Sequence, residues 1–247
     1  MHVLFYKQGG TVESKKNSQK NVFLLGIVSL LNDISSEIIA PLLPVLIKTL
    51  GGSGIALGLA AATRDGLPQM LKFVFGFLSD RFNSRKSFIF LGYLLSAIFK
   101  GALVLVQSWQ QLLLFIGLER LGKSIRTSPR DALVAQSAPH AVASNLGLIH
   151  ALDNIGATIG AMFILFLLWA YKIDLKITMI IATCIALASL IPLWFIQEPK
   201  QAAEPEHHSW QKMPFKVKKF ALINSLFHLG SISYMFLMLR VYDVAAI

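Results

Sequence analysis

Gly76-Phe77-Leu78-Ser79-Asp80-Arg81-Phe82-Asn83-Ser84-Arg85-Lys86 separates two long apolar segments, one closing on Phe77 and Leu78, the next opening at Ser87. The stretch holds one acid and three bases. A short cationic turn between two membrane-length runs lies on the cytoplasmic side by the positive-inside rule. Both the fold class and the orientation of the chain follow from reading it that way.

Composition agrees. Of 247 residues, 55% are apolar and only 15% charged, and mean hydropathy is +0.61. A soluble domain carries roughly 25% charged residues. The net charge of +10 is grouped between apolar runs, and no basic face with interleaved aromatics points to nucleic acid. The single cysteine, Cys184, sits in an apolar run, so no disulfide framework or multi-thiol metal site can form within the chain. His207-His208 lies in a polar stretch without helical spacing, and no metal is expected. No cofactor is expected either. Residues 1–20, with Lys7, Lys15, Lys16 and Lys20, lack the apolar core of a secretory signal and read as a cytoplasmic tail.

A spanning helix needs about 20 mostly apolar residues. Seven segments qualify, at about 21–47, 54–78, 87–107, 110–129, 143–170, 175–196 and 219–240. The fourth is weakest, because Glu119, Arg120, Lys123 and Arg126 crowd its inner half. With the N-terminus inside, fifteen Lys and Arg fall on the cytoplasmic side, in the tail, the 2–3 and 4–5 connections and the stretch 197–218 with Lys219 beside it. Only Lys48, Lys172 and Lys176 fall outside. The expected organisation is a tail (1–20), a six-helix domain (21–196), a cytoplasmic linker (197–218) and a first helix of a further domain (219–247).

The order Gly76-x-Leu78-x-Asp80-Arg81-x-x-x-Arg85-Lys86 resembles the signature loop between helices 2 and 3 of the major facilitator superfamily of secondary transporters. Asn83 stands where that family usually has glycine, and asparagine also tolerates a left-handed turn. The resemblance implies an all-α membrane protein whose six-helix N-terminal bundle is two inverted three-helix repeats. One transmembrane helix of a second half would follow. In the family, the Asp80 position and the basic residues at 81, 85 and 86 form a conformational-switch loop.

Three more stretches match the same family. Arg120-Leu121-Gly122-Lys123-Ser124-Ile125-Arg126-Thr127-Ser128-Pro129-Arg130-Asp131-Ala132-Leu133 resembles the helix 4 and 4–5 loop signature of a bacterial branch, with Lys123, Arg126, Arg130 and Asp131 in the loop. Asn32-Asp33-Ile34-Ser35-Ser36-Glu37, followed by Pro41 and Pro44, resembles helix 1 of that branch. Asp33 and Glu37 are four apart near midspan, where acids are costly unless they line a cavity or are paired. Two acids on one face suit a proton carrier, whereas an ion pair with Arg64, Lys72 or Arg120 would be structural. Gly156-x-x-x-Gly160 lets two helices approach closely. Ala161 stands where the antiporter signature has proline, so antiport draws no support from it. His150 and Asp153 share a face and form a proton-sensitive pair or a packing hydrogen bond. Asp65 and Lys100 are further midspan charges.

The resemblance implies secondary active transport of a small solute by alternating access, driven by a proton or sodium gradient. No Gly-x-x-x-x-Gly-Lys-Ser/Thr loop offers ATP coupling. Asp33, Glu37, Arg64, Arg120, His150 and Asp153 are the candidate substrate and ion cavity. The chain stops after one helix of the second half. An alternative is therefore a non-transporting fragment, or a half-transporter completed by a separately encoded C-terminal half. A membrane-embedded enzyme is a minor alternative, since His-Glu-x-x-His and Gly-x-Ser-x-Gly are both absent. The location implied is the bacterial inner membrane, multi-pass, with the N-terminus cytoplasmic.

Overall fold

The computed structural model describes residues 12–82, 84–171 and 174–197, with a few isolated positions beyond 213. Among them every regular element is helical. The helices are α1 (Val12–Ile39), α2 (Leu42–Thr49), α3 (Gly54–Arg81), α4 (Arg85–Ala102), α5 (Trp109–Ser137), α6 (Val142–Tyr171) and α7 (Leu175–Ala188). Short 3-10 turns at Leu103–Leu105 and Ile191–Phe195 extend α4 and α7. Four segments are long and apolar enough to cross a membrane: Gln19–Thr49, Arg85–Leu105, Val142–Ala170 and Leu175–Phe195. Helices α3 and α5 reach the same length with more charge. The expected linker, seventh helix and most of the tail lie outside the described residues, as does Asn83.

Proline and glycine set the local breaks. Pro41 has no N–H to continue the ladder, and α1 gives way to α2 there within one span. Gly51, at a φ of 76°, takes the left-handed conformation that closes the turn into α3. Ser108 caps α5 by accepting from the Gln111 amide at 3.4 Å.

The main departure from the sequence reading is α5. The fourth span was expected to stop near 129, leaving Lys123, Arg126, Arg130 and Asp131 in or beside a loop. Instead the helix runs through Pro129 to Ser137, and Arg126 and Arg130 are 1% and 4% exposed. The helix continues because those guanidinium groups find partners inside the bundle.

The end of the last described segment lies beside the start of the first membrane-length one. Asn21, near the start of the segment Gln19–Thr49, clamps Gln197, just past the segment Leu175–Phe195. Its Nδ2 donates to the Gln197 carbonyl at 2.6 Å and its Oδ1 accepts from the Gln197 amide at 3.1 Å. At the same end, Lys86 Nζ donates to the Ile196 carbonyl at 2.6 Å.

Packing between spans is most extensive for α4 with α5, α1 with α6, and α3 with α5. The last two pairs are ones that an inverted repeat of α1, α3 and α4 on α5, α6 and α7 would exchange. Close approach explains the α1–α6 seam. A Cβ on Gly156 would meet the Leu30 carbonyl oxygen, and one on Gly160 that of Ile34. Gly92 and Gly122 bring α4 and α5 together equally tightly, each Cβ position 2.7 Å from the other's carbonyl oxygen.

Two apolar clusters occupy opposite ends of the bundle. One joins Ile38, Leu43 and Ile47 to Leu57, Leu112, Ile116 and Met179. The other joins Leu25 and Val28 to Ile89, Tyr93, Leu133 and Ile149. Between them lies a polar belt that includes Asn32, Ser36, Ser96, Lys100, Glu119, Arg120 and Arg126, all buried.

Candidate functional site

The polar belt has a buried part and an open edge. On α1 the partly exposed residues Ile27, Leu30, Asp33, Ile34 and Glu37 form one stripe. Asp65 and Gln69 on α3 and His150, Asn154 and Thr158 on α6 are exposed. A charged side chain at midspan facing hydrocarbon is expensive. These positions need a wet or protein-covered surface against them.

The acids on α1 are each matched to their own guanidinium rather than to one another. Glu37 Oε1 lies 2.9 Å from Arg64 Nη2 of α3, with Glu37 partly open and Arg64 buried. Asp33 Oδ1 lies 4.0 Å from Arg126 Nη2 of α5. Of the three partners expected for these acids, Arg64 alone takes that role. Lys72 Nζ donates to Gln69 Oε1, and Arg120 Nε sits 2.7 Å from its neighbour Glu119.

Arg126 is the best enclosed of these groups. Its guanidinium carbon lies 4.0 Å from the centroid of the Tyr93 ring, a cation–π contact worth about 2 kcal/mol when desolvated. Its Nε and Nη2 are buried with no hydrogen-bond acceptor in reach, as is the Tyr93 hydroxyl. Beneath it, Arg130 ties three helices together. It donates to Ser29 Oγ of α1, to Asp131 at 3.0 Å and to Asp153 of α6 at 3.2 Å. His150 Nδ1 is 3.7 Å from the same Asp153. Thus His150 and Asp153 do meet, and a cation from α5 competes for that carboxylate. Lys123 lies on the same face of α5, partly buried.

The residues expected to form a switch loop link helix ends. Asp80 accepts from Arg85 Nη2 at 2.8 Å and Nε at 3.2 Å. Arg85 also donates to Gln136 Oε1 at 2.7 Å, linking the α3–α4 turn to the end of α5. Gly76 packs against the Ser128 side chain, which a Cβ would strike. Arg81 is exposed.

Sequence reasoning missed the buried part of the belt. Lys100 was noted only as a midspan charge and Glu119 only as a weakness in a span. Lys100 is 1% exposed and donates to the Asn32 carbonyl and Oδ1 at 3.3 and 3.2 Å. Glu119 accepts from Ser96 at 2.8 Å. The spacing of Glu119, Lys123, Arg126 and Arg130 at three or four residues was the available signal, a charged stripe along one helix face. Among the described residues no group of His, Cys, Asp and Glu could hold a metal.

A profile of the Major Facilitator Superfamily matches residues 25–246. The chain belongs to the major facilitator superfamily. It is 38% identical over 231 residues to an uncharacterized MFS-type transporter of Methanocaldococcus jannaschii, covering 92% of this chain and 58% of that one. It is 27% identical over 155 residues to an uncharacterized protein of Mycobacterium tuberculosis, covering 62% and 38%. Among solved structures, the peptide transporter POT in complex with sulfate matches with a TM-score of 0.62 at 16% identity, over 94% of this chain and 50% of that one. A bacterial homolog of the human lysosomal transporter Spinster matches at 0.57 and 16%, over 87% and 50%. The chain therefore spans about half the length of the relatives and structures it matches. As a superfamily member with long apolar helices it is a multi-pass membrane protein.

Proposed function

We propose that this chain forms one half of a secondary transporter that moves a small solute by alternating access, coupled to a proton or sodium gradient. The observation that carries the reading is the open polar edge. Asp33, Glu37, Asp65, His150, Asn154 and Thr158 lie on membrane-length helices without full burial. Lipid cannot solvate that edge, whereas a second half facing it across an aqueous cleft can. Glu37 and Arg64 stand at the wall of that cleft, with Asp153 and His150 further toward the cytoplasmic end. Arg120 is withdrawn behind the wall against Glu119. The Asp80–Arg85–Gln136 contacts act as the switch, tying the α3–α4 turn to α5 in one state and releasing it in another. A continuation of the chain or a second polypeptide supplies the opposite wall.

The solute class follows from charge. Cations outnumber acids across the belt, and this favours an anionic or zwitterionic solute. The test is reconstitution into liposomes holding a pH-sensitive dye, with dicarboxylates, amino acids and sugars added in turn. One anionic or zwitterionic class should move protons inward, and Arg64→Ala should abolish the response. Undiminished anion transport in Arg64→Ala would sink the assignment. A native species far heavier than 27.3 kDa, or a co-purifying partner, is the expected source of the second half.

A further inference from the structure

A furrow runs along the outside of the bundle where α4 and α7 pack. Gly101, Val104, Leu105, Ile180, Thr183 and Cys184 line a volume of about 270 Å³. Its origin is side-chain size. Gly101 has no side chain, and a Cβ there would come within 3.1 Å of Thr183 Cγ2. Thr183 and Cys184 are short, whereas the exposed side chains of Leu105 and Ile180 project beyond them. Both walls belong to membrane-length segments, Arg85–Leu105 and Leu175–Phe195, so the furrow opens into hydrocarbon. An unfilled furrow there forfeits the dispersion contacts of its lining atoms.

The furrow leads toward the membrane boundary where α7 begins. Lys176, Ile180, Thr183 and Cys184 follow the spacing of one helix face. At 1.5 Å per residue, Lys176 stands about 10 Å along the axis from Thr183. Beside it, Asp174 caps α7, its Oδ1 accepting from the Lys176 amide at 3.3 Å. Both residues are exposed, and neither pairs with an opposite charge among the described residues. A cation and an acid therefore stand together at the mouth of an apolar channel. A lysine at this depth suits a phosphate, and the carboxylate beside it suits a primary ammonium, both as charge-assisted hydrogen bonds.

We propose that the furrow holds one acyl chain of a membrane phospholipid whose zwitterionic headgroup sits on Lys176 and Asp174. The phosphate accepts from the Lys176 ammonium, and the headgroup ammonium donates to the Asp174 carboxylate. The chemical class is that of phosphatidylethanolamine. A second copy of the chain fits less well, because a stable protein interface takes roughly 20–30 residues a side and this lining supplies six. The site is separate from the cleft at Glu37 and Arg64 and stands whether or not the cleft moves a solute.

Native mass spectrometry of the purified full-length protein, given equal amounts of phosphatidylethanolamine, phosphatidylglycerol and phosphatidylcholine in detergent, tests it. One phosphatidylethanolamine per chain should be retained, at least threefold over either competitor. Phosphatidylglycerol has no ammonium, and the quaternary ammonium of phosphatidylcholine has no proton to donate. Cys184→Phe fills the furrow from an exposed position and should abolish retention. Leu165→Phe, on the exposed face of α6, adds bulk elsewhere and should leave it unchanged. Lys176→Gln should lower retention threefold or more. Asp174→Asn keeps a good helix cap and should cancel the preference over phosphatidylglycerol, so the outcome does not hang on one variant's folding. Equal retention of the three lipids, or undiminished phosphatidylethanolamine on folded Cys184→Phe, overturns the proposal. A two-chain species lost in Cys184→Phe would give the furrow to a second copy and overturn it as well.

Discussion

Tyr93 and Arg126 show how a cation survives in the middle of this bundle. The guanidinium is 1% exposed, yet its nearest carboxylate is 4.0 Å away. Its enclosure rests on the Tyr93 face at 4.0 Å and on the distant charge of Asp33. The Tyr93 hydroxyl makes no hydrogen bond. Tyr93→Phe should therefore leave unfolding in detergent nearly unchanged, because ring and cation stay in contact. Tyr93→Leu removes the π face and should cost about 2 kcal/mol. Equal losses in the two variants would shift the weight from the ring to the hydroxyl. Glu37 and Arg64 form a direct pair at 2.9 Å, so their removal should be non-additive. In a double-mutant cycle, Arg64→Met with Glu37→Gln should cost less than the sum of the single changes by about 1–3 kcal/mol. An additive result would mean that the 2.9 Å contact carries no energy of its own.

Helix seams in this molecule depend on where glycine stands, and α6 supplies a controlled comparison. Gly156 and Gly160 sit against the α1 backbone at Leu30 and Ile34, whereas Gly147 on the same helix faces open space. Gly160→Leu should force α6 from α1 and cost several kcal/mol, beyond the usual 1–3 kcal/mol of overpacking, because backbone cannot yield as a side chain can. Gly147→Ala should raise stability by about 1 kcal/mol through helix propensity alone. Thermal unfolding of the two variants checks the pair, and a stable Gly160→Leu would refute the tight seam. This contrast also marks what was legible in the sequence. The four membrane-length apolar segments could be read from run lengths, because hydrophobic thickness is a property of each segment alone. The extent of α5 could not, since Arg126 and Arg130 look like loop charges until Tyr93, Asp33, Ser29 and Asp153 are brought to them from three other helices. The buried Lys100, Glu119 and Arg120 were hidden for the same reason: they are spread over α4 and α5 and meet only when the two helices pack.

The charge distribution, set beside the fold, predicts an orientation in the bilayer with the N-terminus inside. Lys123, Arg126 and Arg130 are inside α5 and no longer count as loop charges. Removing them from the fifteen inward Lys and Arg leaves the tail, the 2–3 turn and the stretch after 197 still far ahead of Lys48, Lys172 and Lys176 outside. The positive-inside bias therefore holds without the segment the sequence misassigned. The Asn21–Gln197 clamp adds an independent constraint, because hydrogen bonds at 2.6 and 3.1 Å hold the start of the first membrane-length segment beside the end of the last described one. The same clamp predicts that both of these ends share one face of the membrane, and Lys86 on Ile196 brings the α3–α4 turn beside them. Reporter fusions read this arrangement directly. Green fluorescent protein joined after residue 82 or 139 should fluoresce, and alkaline phosphatase joined after 52, 107 or 173 should be active. The reverse pattern would invert the molecule and place Asp80, Arg85 and Gln136 on the outer face. A mixed pattern would break the even count of crossings that the Asn21 clamp demands, so the five fusions test the clamp and the charge bias together.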